Sequence, residues 1–187
     1  MIKVMNRMKY FHVRQHGFTP KKSTLTNPLS TYDYISSNLD NNCTVDVIFI
    51  DLSKAFDKGN HSLLILKLAE LEFSSFFLLW LSNYIENRTQ RVVIKGSVSQ
   101  TLKVKSRVPQ GCVISPLLVT LYLNEFLNKP HGSLFAAYAG DLKILGLSTN
   151  HAMIHVALND FNFWIADYSL EINKNKTKVM YFGNSHK

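Results

Sequence analysis

The chain has 187 residues, 46% hydrophobic and 18% charged, a balance that builds a core and excludes disorder for most of it. Lys and Arg number 21 against 13 Asp and Glu, a net charge of +8, which suits a phosphate-rich partner or a merely basic surface equally well. Cys43 and Cys112 form no CxxC pair, which excludes a zinc ribbon and a disulfide scaffold.

The length fits one domain or one lobe of a larger protein. The longest apolar runs, near Trp80 and Leu121, are too short to span a membrane. Met1 to Arg14 is basic but lacks the apolar centre of a secretory signal. The expectation is an intracellular chain with no membrane partner. The glycosylation sequons at Asn42, Asn87 and Asn175 are then chance matches.

Residues 1–14 show no periodicity and are expected to be irregular. Ser23 to Leu39 reads as a helix, weakened or bent at Pro28. Val45 to Ile50 is short, apolar and β-branched, the pattern of a buried strand. Ser62 to Leu71 reads as a helix with Asn60 or His61 near its N-cap. Ser74 to Asn87 is a second, with Phe77, Trp80, Leu81 and Tyr84 on one side.

Gln90 to Ile94 and Thr101 to Val108 read as strands joined around Gly96-Ser97. Pro116 to Asn128 reads as a helix with Pro116 in its first turn. Leu134 to Tyr138 and Leu142 to Leu147 flank Ala139-Gly140-Asp141 as a hairpin would. His151 to Tyr168 is expected to be helical and Lys178 to Phe182 a final strand. Strands and helices mix without strict alternation, which predicts an α+β fold.

Asp51 follows the buried strand directly, and Asp141 lies at the later hairpin. If those strands are neighbours, the carboxylates converge and could hold Mg²⁺. From spacing alone, a solvated turn is the simpler account of each.

The surrounding residues change that balance. Asp51-Leu52-Ser53-Lys54-Ala55-Phe56-Asp57-Lys58 resembles motif A of non-LTR retrotransposon reverse transcriptases, of the LINE or jockey-like class. The stretch from Arg107 through Pro109-Gln110-Gly111 to Leu118 is similar to their motif B. Tyr138-Ala139-Gly140-Asp141 stands where motif C, an aromatic-Ala-Asp-Asp box, belongs. Gln15-His16-Gly17-Phe18 with Ser23-Thr24 resembles the segment before motif A. Asn173 to Met180 resembles the motif D region, and Gln90 to Ile94 also fits. The likeness is colinear from about Gln15 to Gly183.

The resemblance implies a right-hand polymerase palm with partial fingers, an antiparallel sheet packed on helices. It implies a partial reverse transcriptase domain over residues 15–187, with further finger segments before Met1 and the thumb after Lys187. By the same likeness, Asp51 and Asp141 are catalytic, metal-binding carboxylates. Phe56 is the steric gate under the sugar. Gln110 and Gly111 shape the nucleotide pocket, and Lys176 lies near the triphosphate or is simply solvated. The implied partners are an RNA template, a DNA primer and a dNTP, with two Mg²⁺ ions as cofactor.

Gly140 departs from the family pattern, because motif C carries a metal-binding Asp there. Gly59, Asn60, Arg107 and Ser115 depart too, each by a change reachable in one base. The expectation is an RNA-directed DNA polymerase domain that keeps its fold and is impaired in catalysis. The alternatives are a non-catalytic RNA- or DNA-binding palm and an unselected retroelement relic.

Overall fold

The computed structural model describes residues 1–53, 61–86, 88–104, 112, 114–128 and 133–183. Its centre is β1 (Val45–Ser53), the apolar run read from sequence, extended by Asp51, Leu52 and Ser53. On one side β1 pairs antiparallel with β7 (Asp141–Leu147), which pairs with β6 (Leu134–Tyr138). On its other side β1 pairs with β9 (Lys178–Phe182) at one end and with β8 (Glu171–Ile172) at the other. The named strands of the sheet all pair antiparallel, as the family likeness implied, and Gln15 adds an isolated parallel bridge to Ala137.

Alternation along β1 sorts its side chains onto two faces. Ile48, Ile50 and Leu52 join the main core. That core is closed by α3 (His61–Glu70), α4 (Ser75–Ile85), α5 (Ser115–Asn128) and α6 (His151–Asp167). Helix α5 is buried almost all round, which fits its apolar sequence and central position. Phe126 meets Phe135, Phe161 and Trp164 at ring separations of 4.8 to 5.4 Å.

The opposite face of β1 carries Val45, Val47, Phe49 and Asp51. Val45 and Val47 pack with Ile35 of α2 (Thr26–Asp40) in a smaller core. That helix covers the sheet only in part, and the cover stops short of Asp51. Among the described residues no helix is long and apolar enough to cross a membrane.

Several expectations need correction. The opening segment is not wholly irregular. Ile2–Arg7 forms α1, with Met5 fully buried. Such a short helix has no legible period and gains its stability from packing. Asn124, itself fully buried, accepts from His12 N–H at 2.6 Å and donates to the Tyr10 carbonyl.

Pro28 does not bend α2. The helix begins at Thr26, so Pro28 falls in its first turn, where the missing N–H is not needed. Neither of the expected strands Gln90–Ile94 and Thr101–Val108 is continuous among the described residues. Four two-residue strands form instead, β2 (Thr89–Gln90) with β5 (Leu102–Lys103) and β3 (Val93–Ile94) with β4 (Ser97–Val98). Lys95 (φ 47°) and Gly96 (φ 85°) make the turn, both in the left-handed region that a tight hairpin requires. Residues 105–108 of the expected strand lie outside the described residues.

Candidate active site

Asp51 and Asp141 are register partners across β1 and β7. Directly opposed residues in an antiparallel pair stand about 4.5–5.5 Å apart at Cα, with side chains on the same face. The convergence that spacing left open is therefore built into the sheet. Tyr138 extends this row on β6. The next row down holds Ala136, Lys143, Phe49 and Lys178. The polar end of the face is the part that α2 leaves open.

A cleft of about 330 Å³ opens here, lined by Asn27, Phe49, Asp51, Tyr138, Asp141, Lys143 and Lys176 among others. Partial burial raises the Asp141 pKa above the ordinary carboxylate value, and the facing Asp51 raises it further. Lys176 and Lys143 pull in the opposite direction. Lys176 Nζ lies 3.7 Å from Asp51 Oδ2, with its side chain 71% exposed. An ion pair this exposed contributes roughly 0–1 kcal/mol, so a competing cation or phosphate can displace the lysine.

Gly140 sits in the two-residue turn between β6 and β7, and its carbonyl accepts from Leu52 N–H at 3.3 Å. The left-handed residue of that turn is Ala139 (φ 54°), not the glycine. A Cβ at position 140 would meet nothing within 4 Å. The hairpin forms with glycine at this position, but the backbone does not require it there, and an aspartate would fit.

Phe56, Gln110 and Gly111, the expected steric gate and pocket residues, lie outside the described residues, as do Gly59, Asn60 and Arg107. The segment before motif A has a physical role that the sequence did not reveal. Ala137 N–H donates to the Arg14 carbonyl at 3.0 Å, and His16 N–H donates to the Ala137 carbonyl at 2.8 Å. Gly17 then passes so close to the turn that a Cβ would fall 2.2 Å from Ala139 N.

Two further residues of the site had no assigned role. Lys143 Nζ donates to Asn27 Oδ1 at 3.2 Å and to Thr31 Oγ1 at 3.1 Å, above the Phe49 ring at 5.8 Å. Its burial pushes the ammonium pKa down, and Asp141 opposes that shift. Alternation from Asp141 puts Lys143 on the same face and could have found it. Asn173 Nδ2 donates to Asp51 Oδ2 at 3.0 Å. Only its nearness in sequence to Lys176 hinted at the site.

Among the described residues no group of three or more His, Cys, Asp or Glu gathers around a metal position. Two carboxylates that repel one another fit a single divalent cation, which would relieve the repulsion.

An antiparallel sheet with four helices on one face, a second face only partly covered by α2 and paired aspartates at its open end has the form of a polymerase palm. The chain belongs to the reverse transcriptase (RNA-dependent DNA polymerase) family, whose sequence model matches residues 1–186. It is 28% identical over 185 residues to a probable RNA-directed DNA polymerase from transposon BS of Drosophila melanogaster, covering 93% of this chain and 20% of that protein. It is 27% identical over 147 residues to the RNA-directed DNA polymerase from mobile element jockey of the same fly, covering 73% and 16%. The chain thus spans a fifth or less of the length of these relatives.

Among solved structures it is similar to telomerase from Candida albicans in complex with a telomeric RNA fragment. The TM-score is 0.70 at 15% identity, over 99% of this chain and 33% of that one. Apo telomerase from Candida tropicalis matches with a TM-score of 0.72 at 14% identity, over 96% and 35%. At such identities the structural likeness speaks for the fold alone.

Proposed function

We propose that the cleft beside Asp51 and Asp141 is a nucleotidyl-transfer site that extends a DNA primer on an RNA template with dNTPs, and that it is impaired in this chain. The observation that carries the reading is the direct pairing of the two aspartates beside a turn where Gly140 replaces a third. When bound, Mg²⁺ would lower the pKa of the primer 3′-OH and stabilise the departing pyrophosphate. Asp51 and Asp141 would hold the ion. Lys176, exposed at the rim of the cleft, would meet the triphosphate. Phe56 would press on the sugar, and Gln110 and Gly111 would line the base pocket.

The impairment has an electrostatic cause. Asp51 and Asp141 supply two negative charges to the cleft, and Lys143 and Lys176 bring two positive ones. An aspartate at position 140 would make the set net negative. Without it a divalent cation gains less, and the second ion of the family's pair lacks a ligand. Losing one charge-stabilising group at a reacting centre costs about 10²–10³ in rate.

The test is dNTP incorporation on primed RNA with Mg²⁺, with this domain replacing the matching segment of the jockey polymerase. Little or no extension is expected as it stands, measurable extension with Gly140→Asp, and none once Asp51→Asn is added. Equal, robust extension with and without Gly140→Asp would overturn the impairment. The net charge of +8 also supports a non-catalytic RNA- or DNA-binding palm. That reading predicts nucleic-acid binding with no extension even after Gly140→Asp.

A further inference from the structure

We propose that Asn173 is a positioning residue for Asp51, and that the loop 173–177 claims one carboxylate oxygen so that the other is left for a cation shared with Asp141. The inference rests on the nucleotidyl-transfer reading and deepens it.

The loop arises from a change of register. Leu52 pairs with Ile172, while Phe49 pairs with Lys178. Five residues, 173–177, therefore lie opposite two, Ile50 and Asp51. The excess cannot stay in the ladder and bulges out beside the aspartate. Asn173 is its anchor. The Asn173 N–H donates to the Asp51 carbonyl at 2.8 Å, and the Asn173 carbonyl accepts from Lys176 N–H at 3.1 Å and Thr177 N–H at 2.9 Å. The Thr177 hydroxyl donates to that same carbonyl at 3.0 Å. With its backbone fixed at both ends, Asn173 delivers its side-chain amide to Asp51 at little entropic cost.

The two side-chain contacts from the loop fall on one atom. Asn173 Nδ2 donates to Asp51 Oδ2 at 3.0 Å, and Lys176 Nζ approaches the same oxygen at 3.7 Å. These contacts leave Oδ1 for a cation. The chemistry separates the two donors. The lysine offsets the charge that a cation needs, and its exposed side chain can swing away. The amide is neutral, so it orients the carboxylate and leaves its charge intact. A carboxylate at position 173 would instead face Asp51 as a like charge. Outer partners that orient a metal ligand are worth about 10–100-fold in metal affinity.

The test titrates Mn²⁺ into the full chain carrying Gly140→Asp and follows the free ion by electron paramagnetic resonance. Adding Asn173→Ala should weaken binding about 10–100-fold. Adding Thr177→Ala, which removes one of the bonds to the Asn173 carbonyl but keeps the amide, should weaken binding less than Asn173→Ala does. Unchanged affinity in Asn173→Ala, or an equal loss in Thr177→Ala, would overturn the positioning role while the metal reading stands. No Mn²⁺ binding by the Gly140→Asp chain would sink both. Should Asn173→Ala fail to fold, the Gly140→Asp chain decides alone. Its Asn173 side-chain amide resonance must shift on saturation with Mg²⁺, and an unmoved resonance would refute the role.

Discussion

Two glycines on either side of one turn carry opposite constraints. At Gly17 a Cβ would lie 2.2 Å from backbone Ala139 N, with no flexible side chain to give way. Gly17→Ala should therefore destabilise the chain by about 1–3 kcal/mol, read as a lower urea midpoint. At Gly140 the space is open, and Gly140→Ala should shift stability by no more than about 0.5 kcal/mol. A comparable loss at both positions would mean that the segment before motif A does not pack on the hairpin as described. The sequence placed both residues in motifs but said nothing of their backbone constraints, for the left-handed conformation falls on Ala139 and the tight approach on Gly17.

Element boundaries followed local chemistry where that chemistry was complete. Ser74 caps α4, its hydroxyl oxygen accepting from Phe77 N–H at 3.3 Å. Ser74→Ala should cost about 1 kcal/mol in a thermal or urea melt. Pro28→Ala should stay within about 0.5 kcal/mol, because the first turn of α2 does not use that N–H. A large gain on removing Pro28 would place it in the helix interior after all. Asn150 caps α6 similarly, accepting from Met153 N–H at 3.4 Å. Elements without such local signals were missed. Strand β8 is two residues long and exists only because β1 offers it an edge. Helix α1 is six residues held by Met5 and by its packing on the core.

The whole molecule adds properties that no single element has. Tyr10, Tyr122 and Tyr168 enter one core, and burial raises each phenol well above its ordinary pKa. Tyr168 also donates to Glu125, whose charge further opposes its ionisation. The folded chain thus holds these protons more tightly than the unfolded chain. Stability is full below the unfolded tyrosine value of about 10 and falls as pH rises above it. The urea midpoint should drop between roughly pH 9 and pH 11, and Tyr168→Phe should flatten part of that drop. An unchanged slope would show that the Tyr168 phenol ionises without unfolding the core.

The net charge makes a second prediction at this scale. Binding to primed RNA should weaken as salt rises, with log K falling against log[salt] by about 0.7 per phosphate contact on a single strand. A flat titration from low to moderate salt would remove the basic surface from any nucleic-acid role.

The amino-acid sequence alone determined the fold class and the order of the main strands and helices, and its likeness to the family singled out Asp51 and Asp141. The elements rest on signals carried within a few residues: a β-branched run, a helical period, a proline in a first turn, a hairpin turn between two apolar runs. Only the tertiary structure decided that the two aspartates are register partners, that Lys143 shares their face, and that Asn173 grips Asp51 Oδ2. The reason is sequence distance. Asn173 lies 122 residues from Asp51, and a pairing register between such distant segments is set by how whole strands fill a shared core. A residue whose task is to orient another carries no pattern of its own until that register exists.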